Sequence, residues 1–288
     1  MSKAHRKRAK RVPWLGRLLA QLPNDWPVLY PLYLAAQLDT AEEEYRNPRW
    51  PAVLNGLRLA YLSDIHFGAL FGEKRVRALA ERVNALSPDV ILLGGDYGED
   101  SQGAVDFFRL KPGFRARYGV AAALGNHDRT LPDGNLPRIL DAMRADGVTP
   151  LCNDVWMLEK GGKRVAFAGA DDYYNGEPDL SKLSELTREA DFTVFFPHEP
   201  DILPQVYALA DGPFYQLALC GHTHGGQVTV LGHSLHSSSD LKDRYRSGWY
   251  HEQGTDILVS NGVGTSVLPV RLGTRPQIHL LTMRSGAL

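Results

Sequence analysis

Cysteine is scarce: there are two in 288 residues, Cys152 and Cys220, far apart and in no spaced motif. That excludes a disulfide framework and leaves two buried free thiols, the usage of a cytosolic protein. No run of about 20 apolar residues occurs, so no ordinary transmembrane helix is encoded. The basic N-terminus is followed by no apolar h-region or small-residue cleavage site, and it holds no Arg-Arg pair. The chain is therefore read as unexported. Net charge is almost absent, at -1, so the body has no general attraction for nucleic acid or anionic lipid. Internal repeats and low-complexity segments are also missing.

Acidic residues are absent from Met1 to Arg17, where seven bases stand: Lys3, Arg6, Lys7, Arg8, Lys10, Arg11 and Arg17. Next, Trp14, Leu15, Leu18, Leu19 and Leu22 fall on one helical face and Arg17 and Gln21 on the other. Pro13 suits a first helical turn and Pro23 closes the segment. Trp26–Leu38 is apolar but too short to span a bilayer and is broken by Pro27 and Pro31. Residues 1–50 are expected to be a basic tail and an amphipathic, apolar N-terminal extension, and 51–288 a single domain.

From Leu57 onward, strand-like runs alternate with helical stripes. Val76, Leu79, Val83 and Leu86 form one stripe; Leu136, Ile139, Leu140 and Met143 another; Leu180, Leu183 and Leu186 a third. Residues 156–168 read as a hairpin turning at Gly161-Gly162. The last third is strand-rich, at 216–220, 227–230, 256–260 and 278–283. This mixture predicts an α/β layered domain.

Five apolar runs each end in a polar cluster. Leu57–Ser63 leads to Asp64-Ile65-His66, Val90–Leu93 to Gly94-Gly95-Asp96, and Val120–Leu124 to Gly125-Asn126-His127-Asp128. Phe192–Phe196 leads to Pro197-His198, and Gln216–Cys220 to Gly221-His222-Thr223-His224. Strands that end this way deliver polar groups to the carboxyl edge of a sheet, where α/β proteins bind ligands. Asp64, His66, Asp96, Asn126, His127, His198, His222 and His224 are expected to gather there. Carboxylate, imidazole and amide donors suit Mn, Fe, Co or Zn better than Mg or Ca. A carboxylate such as Asp96 can bridge two ions, and two bridged ions can clamp the attacking and leaving oxygens at phosphorus.

At these residues the sequence resembles the calcineurin-like metallophosphoesterases, whose five motifs it matches in order over about residues 57–283. The resemblance implies a four-layer α-β-β-α sandwich, two mixed sheets flanked by helices. It also implies that Asp64, His66 and His224 hold one ion, that Asn126, His198 and His222 hold the other, and that Asp96 bridges. His127 would face the scissile phosphate as acid or charge stabiliser. A narrower likeness, carried by Gly221–Gln227, Tyr245–Tyr250, Ser260–Ser266 and Pro269-Val270-Arg271, is to a bacterial branch of the family. Members of that branch often carry an N-terminal membrane-targeting segment, and some act as phosphodiesterases or on lipid A precursors carrying UDP.

Asp128 is the candidate for orienting His127, and Arg271 leads Arg129 and Arg275 as a candidate phosphate-binding arginine. Gly225, Gly226 and Gly262–Gly264 offer backbone that approaches a substrate closely. His233, His236, His251 and His279 stand outside the motifs as structural or exposed residues. The reading is a dimetal hydrolase of a phosphodiester or pyrophosphate, attacking with metal-bound hydroxide and working peripherally at the inner face of the cell membrane. Its substrate would be lipid-linked, resembling a UDP-diacylglucosamine, and its basic tail and apolar helix would meet an anionic membrane surface. One rival is a soluble nucleotide or cyclic-nucleotide phosphodiesterase or a nuclease; the neutral body and lack of a nucleic-acid module argue against nucleic acid as a partner. The other is a non-catalytic scaffold, which should show missing ligands, whereas every ligand position here is filled.

Overall fold

Val90–Leu93, Phe192–Phe195 and Leu217–Cys220 are buried at every residue, so each needs a packed layer on both faces. The computed structural model describes residues 14–22, 29–130 and 135–286. Two helices, α1 (Trp14–Leu19) and α2 (Tyr30–Ala36), precede β1 (Asp39–Asn47) and β2 (Arg58–Leu62). Then follow α3 (Glu73–Ala85), β3 (Val90–Leu93), α4 (Ser101–Arg109), β4 (Gly119–Ala122), α5 (Asn135–Ala145) and β5 (Thr149–Pro150). The second half runs β6 (Asp154–Lys160), β7 (Lys163–Gly169), α6 (Leu180–Thr187), β8 (Phe192–Phe195), α7 (Leu203–Tyr207) and β9 (Leu217–Cys220). It closes with β10 (Thr229–Val230), β11 (His233–Ser234), β12 (Gly248–Glu252), β13 (Thr255–Val259) and β14 (Gln277–Ser285).

Local signals explain the boundaries. Asp100 and Asp179 cap α4 and α6, accepting the Gly103 and Lys182 amides at 2.9 Å each. Gly161 and Gly162 both take positive φ (58° and 72°), as the two-residue turn from β6 to β7 demands.

Two six-stranded mixed sheets result, in the orders β1-β14-β2-β3-β4-β5 and β12-β13-β9-β8-β7-β6. Strands β2 to β5 are parallel, as are β13, β9, β8 and β7. Their facing sides form one core from Leu59, Tyr61, Leu92 and Leu281 on the first sheet and Phe167, Phe192, Val194 and Leu219 on the second. Helices α3, α4 and α5 cover the outer face of the first sheet, and α6 and α7 that of the second. This is the expected four-layer α-β-β-α sandwich. Each fully buried Leu, Val or Phe contributes about 1.5–3 kcal/mol. The inter-sheet core therefore fixes how far apart the two sets of strand ends lie.

One expectation for the N-terminus needs correction. The extension does not run to residue 50, because Asp39–Asn47 is the edge strand of the first sheet, paired parallel with β14. Its outward Glu42, Glu44 and Arg46 are exposed, the charged pattern that keeps an edge from pairing with another chain. Tyr45 is buried; its hydroxyl donates to Asp256 at 2.7 Å, and its ring stacks on Trp249, tying β1 to the second sheet. Helix α1 leaves its apolar face open: Trp14 is 75% exposed, and Leu15, Leu18 and Leu22 are also open to solvent. Helix α2, in contrast, packs Leu32, Leu34 and Ala35 on the body. The run Lys3–Arg11, Pro13, Pro23, Trp26 and Pro27 lie outside the described residues. Among the described residues no helix is long and apolar enough to cross a membrane.

Candidate metal centre

The carboxyl ends of β2, β3, β4, β8 and β9 converge at one edge of the sandwich. There the chain turns sharply. Asp64, His66, Asp96, His222 and His224 all have φ between 51° and 69°, the left-handed region that costs a non-glycine residue about 1–3 kcal/mol. Such strain persists where the surroundings over-determine it, and it turns these side chains inward from strands of both sheets. Gly125 lets the β4 loop pass close by: a Cβ there would lie 2.7 Å from the Asp96 amide.

The predicted residues meet. Asp64, His66 and His224 offer ligand atoms mutually within 4.8 Å, as do Asp64, Asp96 and His198. His198 and His222 form a further such group with Glu199. The His66 and His224 Nε2 atoms are 3.0 Å apart, and Asp64 Oδ1 is 3.5 Å from His224 Nε2. Asp96 Oδ2 lies between the groups, 3.8 Å from His66 Nε2 and 3.2 Å from His198 Nε2. Asn126 Oδ1 is 2.9 Å from His222 Nδ1. All are buried, with Asn126 the most open at 8% exposure.

Hydrogen bonds to the far side of each ring select the inward nitrogen. The Gly94 carbonyl can only accept, so His198 Nδ1 donates to it at 2.6 Å, leaving Nε2 for the centre. His222 Nε2 donates to the Ser238 carbonyl at 3.2 Å, leaving Nδ1 opposite the Asn126 oxygen. Burial, and secondarily His127, lowers His66 to about pH 3, so its imidazole is neutral. His224 lies well below the ordinary range through burial and its neighbours His66 and Arg271. Burial opposes ionisation of Asp96, yet His198 and His127 hold it well below the usual carboxylate range. His198 is raised despite its burial, chiefly by Asp96, Glu199 and Asp64, and its Nε2 has no hydrogen-bond partner. Imidazole nitrogens thus face one another at 3.0 Å beside two buried carboxylates. The mixed nitrogen and oxygen donors fit divalent transition metals.

Three predicted roles need closer description. His127 is half-buried; its amide donates to Asp96 Oδ1 at 2.8 Å, and its Nδ1 donates to the Glu99 carbonyl at 2.8 Å. Asp128 does not touch the His127 ring. Its carboxylate accepts the amides of Asp96 (2.8 Å), Tyr97 (3.0 Å) and Gly125 (2.9 Å), so it shapes the ligand loops. Burial, then Asp96, raises its pKa to about 8. The expected phosphate-binding role of Arg271 does not fit its position. It is wholly buried, and its guanidinium donates to the carbonyls of His224, Asn261, Gly262 and Gly264. Burial lowers it to about 9, which leaves it a cation at neutral pH. Arg129 is paired with Asp171, with an Nε–Oδ1 distance of 3.1 Å. The Glu99 and Ser238 carbonyls carry no sequence signal, since any residue supplies one.

Residues 57–226 match the family described as Calcineurin-like phosphoesterase. The Bacillus subtilis metallophosphoesterase YkuE is 28% identical over 265 residues, covering 89% of each chain. A Danio rerio transmembrane protein with metallophosphoesterase domain is 30% identical over 257 residues, covering 82% of this chain and 55% of its own length. The Escherichia coli phosphodiesterase YaeI is 27% identical over 240 residues, covering 78% of this chain and 82% of that one. The chain thus spans about half of the zebrafish protein and most of the two bacterial ones.

Proposed function

The chain is a metal-dependent phosphoric ester hydrolase belonging to the calcineurin-like phosphoesterase family, and from that premise we propose that it cleaves a phosphodiester or pyrophosphate bond in an amphiphilic, lipid-linked substrate met at an anionic membrane surface. A UDP-diacylglucosamine-like molecule has the required chemistry. Asp64, His66 and His224 would hold one ion and Asn126, His198 and His222 the other, with Asp96 placed to be shared by them. When bound, two such ions supply Lewis-acid charge to the phosphoryl oxygens and lower the pKa of water. His127, fixed through Nδ1 on the Glu99 carbonyl, presents Nε2 to the reacting group, where it neutralises charge and passes a proton to the leaving oxygen. Asp128 holds the turns that carry Asp96 and Asn126 in place. Mn, Fe, Zn and Co all fit this donor set.

One observation carries the membrane part of this reading: the apolar face of α1 is left open, with Trp14 at 75% and Leu18 at 50% exposure, directly after a tail of bases without acids. A second apolar projection supports it. Val230, Leu231 and Leu235 are exposed on the hairpin of β10 and β11, which follows His224 closely in sequence. That hairpin is joined to the 266–272 segment through Gln227 and Thr229, and Leu19 and Leu22 border the same loop at Thr265 and Pro269. Bases near an anionic surface contribute about 1 kcal/mol each, and an apolar helix face adds burial at the headgroup boundary.

The test is the full chain with Trp14→Asp and Leu18→Asp, assayed by sedimentation with anionic vesicles and on two substrates. Binding should fall at least tenfold. Turnover of a lipid-linked pyrophosphate in those vesicles should fall with it, while a soluble aryl phosphodiester is turned over as before. Unchanged vesicle binding would remove the membrane from the account.

A further inference from the structure

We propose that Arg271 is a positioning residue that locks together, from the two sheets, the three side chains assigned to one metal ion. The inference rests on the ligand assignment given under Proposed function. Asp64 and His66 follow β2 of the first sheet, whereas His224 follows β9 of the second. Among the described residues no strand pairing joins those two sheets. The inter-sheet core sets the spacing of the strand ends, and hydrogen bonds between the loops that follow them must set the ligands.

The His222 amide makes one such bond, donating to the Asp64 carboxylate at 3.1 Å; a second connection is a short relay of main-chain bonds closed by one side chain. The loop after β13 reaches across to the first sheet: the Val263 amide donates to the Ser63 carbonyl at 2.9 Å and the Gly264 amide to the Asp64 carbonyl at 2.7 Å. Only glycine fits at 262, where φ is 69° and a Cβ would lie 2.6 Å from the Asp64 Cβ. Arg271 then clamps that loop to His224. Its Nη2 donates to the carbonyls of Gly264 (2.6 Å) and Asn261 (2.7 Å), and its Nη1 donates to the His224 carbonyl at 3.1 Å. Nη2 also sits 3.4 Å from His224 Nδ1, on the ring edge opposite the nitrogen that faces His66.

The planar fork of a guanidinium can span carbonyls pointing from separate segments; an ammonium cannot. His224 needs such a hold, because its backbone is in the left-handed region at φ 52°. The other ion's proposed ligands lie outside this relay. His198 is fixed by the Gly94 carbonyl and His222 by that of Ser238. Loss of Arg271 should therefore loosen one ion and spare the other.

The experiment compares wild type, Arg271→Met and Arg271→Lys as full chains, with Mn²⁺ as the probe. Wild type should bind two Mn²⁺ and give a spin-coupled paramagnetic resonance spectrum. Both variants should keep one Mn²⁺ with near-wild-type affinity and bind the second roughly 10–100-fold more weakly, the usual effect of losing a partner behind a ligand, with a mononuclear six-line spectrum. Equal weakening of both ions, or none, overturns the proposal. Fewer than two Mn²⁺ on wild type defeats the dimetal reading instead. Hydrogen exchange on the unaltered protein gives a check that does not depend on the variants folding. Adding Mn²⁺ should slow exchange at 224–226 and 261–264 together, and protection confined to 224–226 would also overturn it.

Discussion

Replacing His127 by alanine separates a catalytic histidine from a ligand. The contacts of His127 divide cleanly. Its amide holds Asp96 Oδ1 at 2.8 Å, while its ring is held by the Glu99 carbonyl. His127→Ala keeps the amide and so keeps the Asp96 carboxylate in place; it removes only the ring. Metal content should stay at the wild-type level. Losing a general acid lowers kcat by about 10²–10⁴, which at about 1.4 kcal/mol per decade is roughly 3–5 kcal/mol of barrier. The deficit should depend on the leaving group. An aryl phosphodiester departs without a proton and should lose least, whereas an alkyl diester should lose most. The assay is kcat for both esters, with metal analysis of the same samples. The alternative is real, because His127 Nε2 or Nδ1 lies within 4.8 Å of ligand atoms on His66 and Asp96. A variant that loses metal would refute the reasoning, and an equal deficit on both esters would refute the acid role.

Asp128→Asn should destabilise the protein, since Oδ1 and Oδ2 accept three amides between them and an NH2 in either place opposes a donor. A loss of about 2–4 kcal/mol, or a Tm lower by roughly 3–7 °C, is expected in a thermal melt; an unchanged Tm would show that the anchor is unimportant. His279 should make stability pH-dependent. Both of its ring nitrogens are buried without partners, and burial lowers it from 6.5 to about 4 despite Asp39. Above pH 6.5 both folded and unfolded chains keep it neutral. As pH falls from 6.5 toward 4 the unfolded chain takes up the proton first, so stability is lost by roughly 3 kcal/mol. His279→Phe should flatten the fall in Tm between pH 7 and 5 relative to wild type, and parallel curves would exclude His279 as the cause.

The gathering of these side chains at one edge was legible because each candidate ligand sits beside its own strand. An apolar run, a glycine or proline, then Asp, Asn or His is a local pattern, and the parallel sheets do the rest. Helices α3, α5 and α6 were likewise visible as periodic apolar stripes, and the two-sheet arrangement came with the family resemblance. Strand β1 was not, since seven of its nine residues are polar or charged and its pairing partner begins at Gln277. Its order comes from tertiary contacts, with Tyr45 reaching Asp256 and Trp249. Helix α4 has Gly103 inside its first turn, which weakens its signal. The adjacency of Asp128 to His127 suggested a side-chain pair, but the turn after β4 sends the carboxylate back to the amides of 96, 97 and 125. Arg271 read as a surface phosphate ligand because arginine usually is exposed. Its burial follows from carbonyls contributed by residues 224 and 261–264, a grouping that only the folded chain creates.

The central claim is that one edge of the sandwich holds two metal ions bridged by Asp96, and metal content measured alongside activity tests it most directly. Full-length protein supplied with Mn²⁺ or Zn²⁺ and freed of excess should carry two equivalents per chain and hydrolyse an aryl phosphodiester. Asp96→Ala should carry no more than one equivalent and lose activity by at least 10³-fold, about 4 kcal/mol, because Asp96 Oδ2 is the oxygen that lies between His66 and His198. Well under one equivalent on the wild-type protein, or full metal content and activity in Asp96→Ala, would contradict the account.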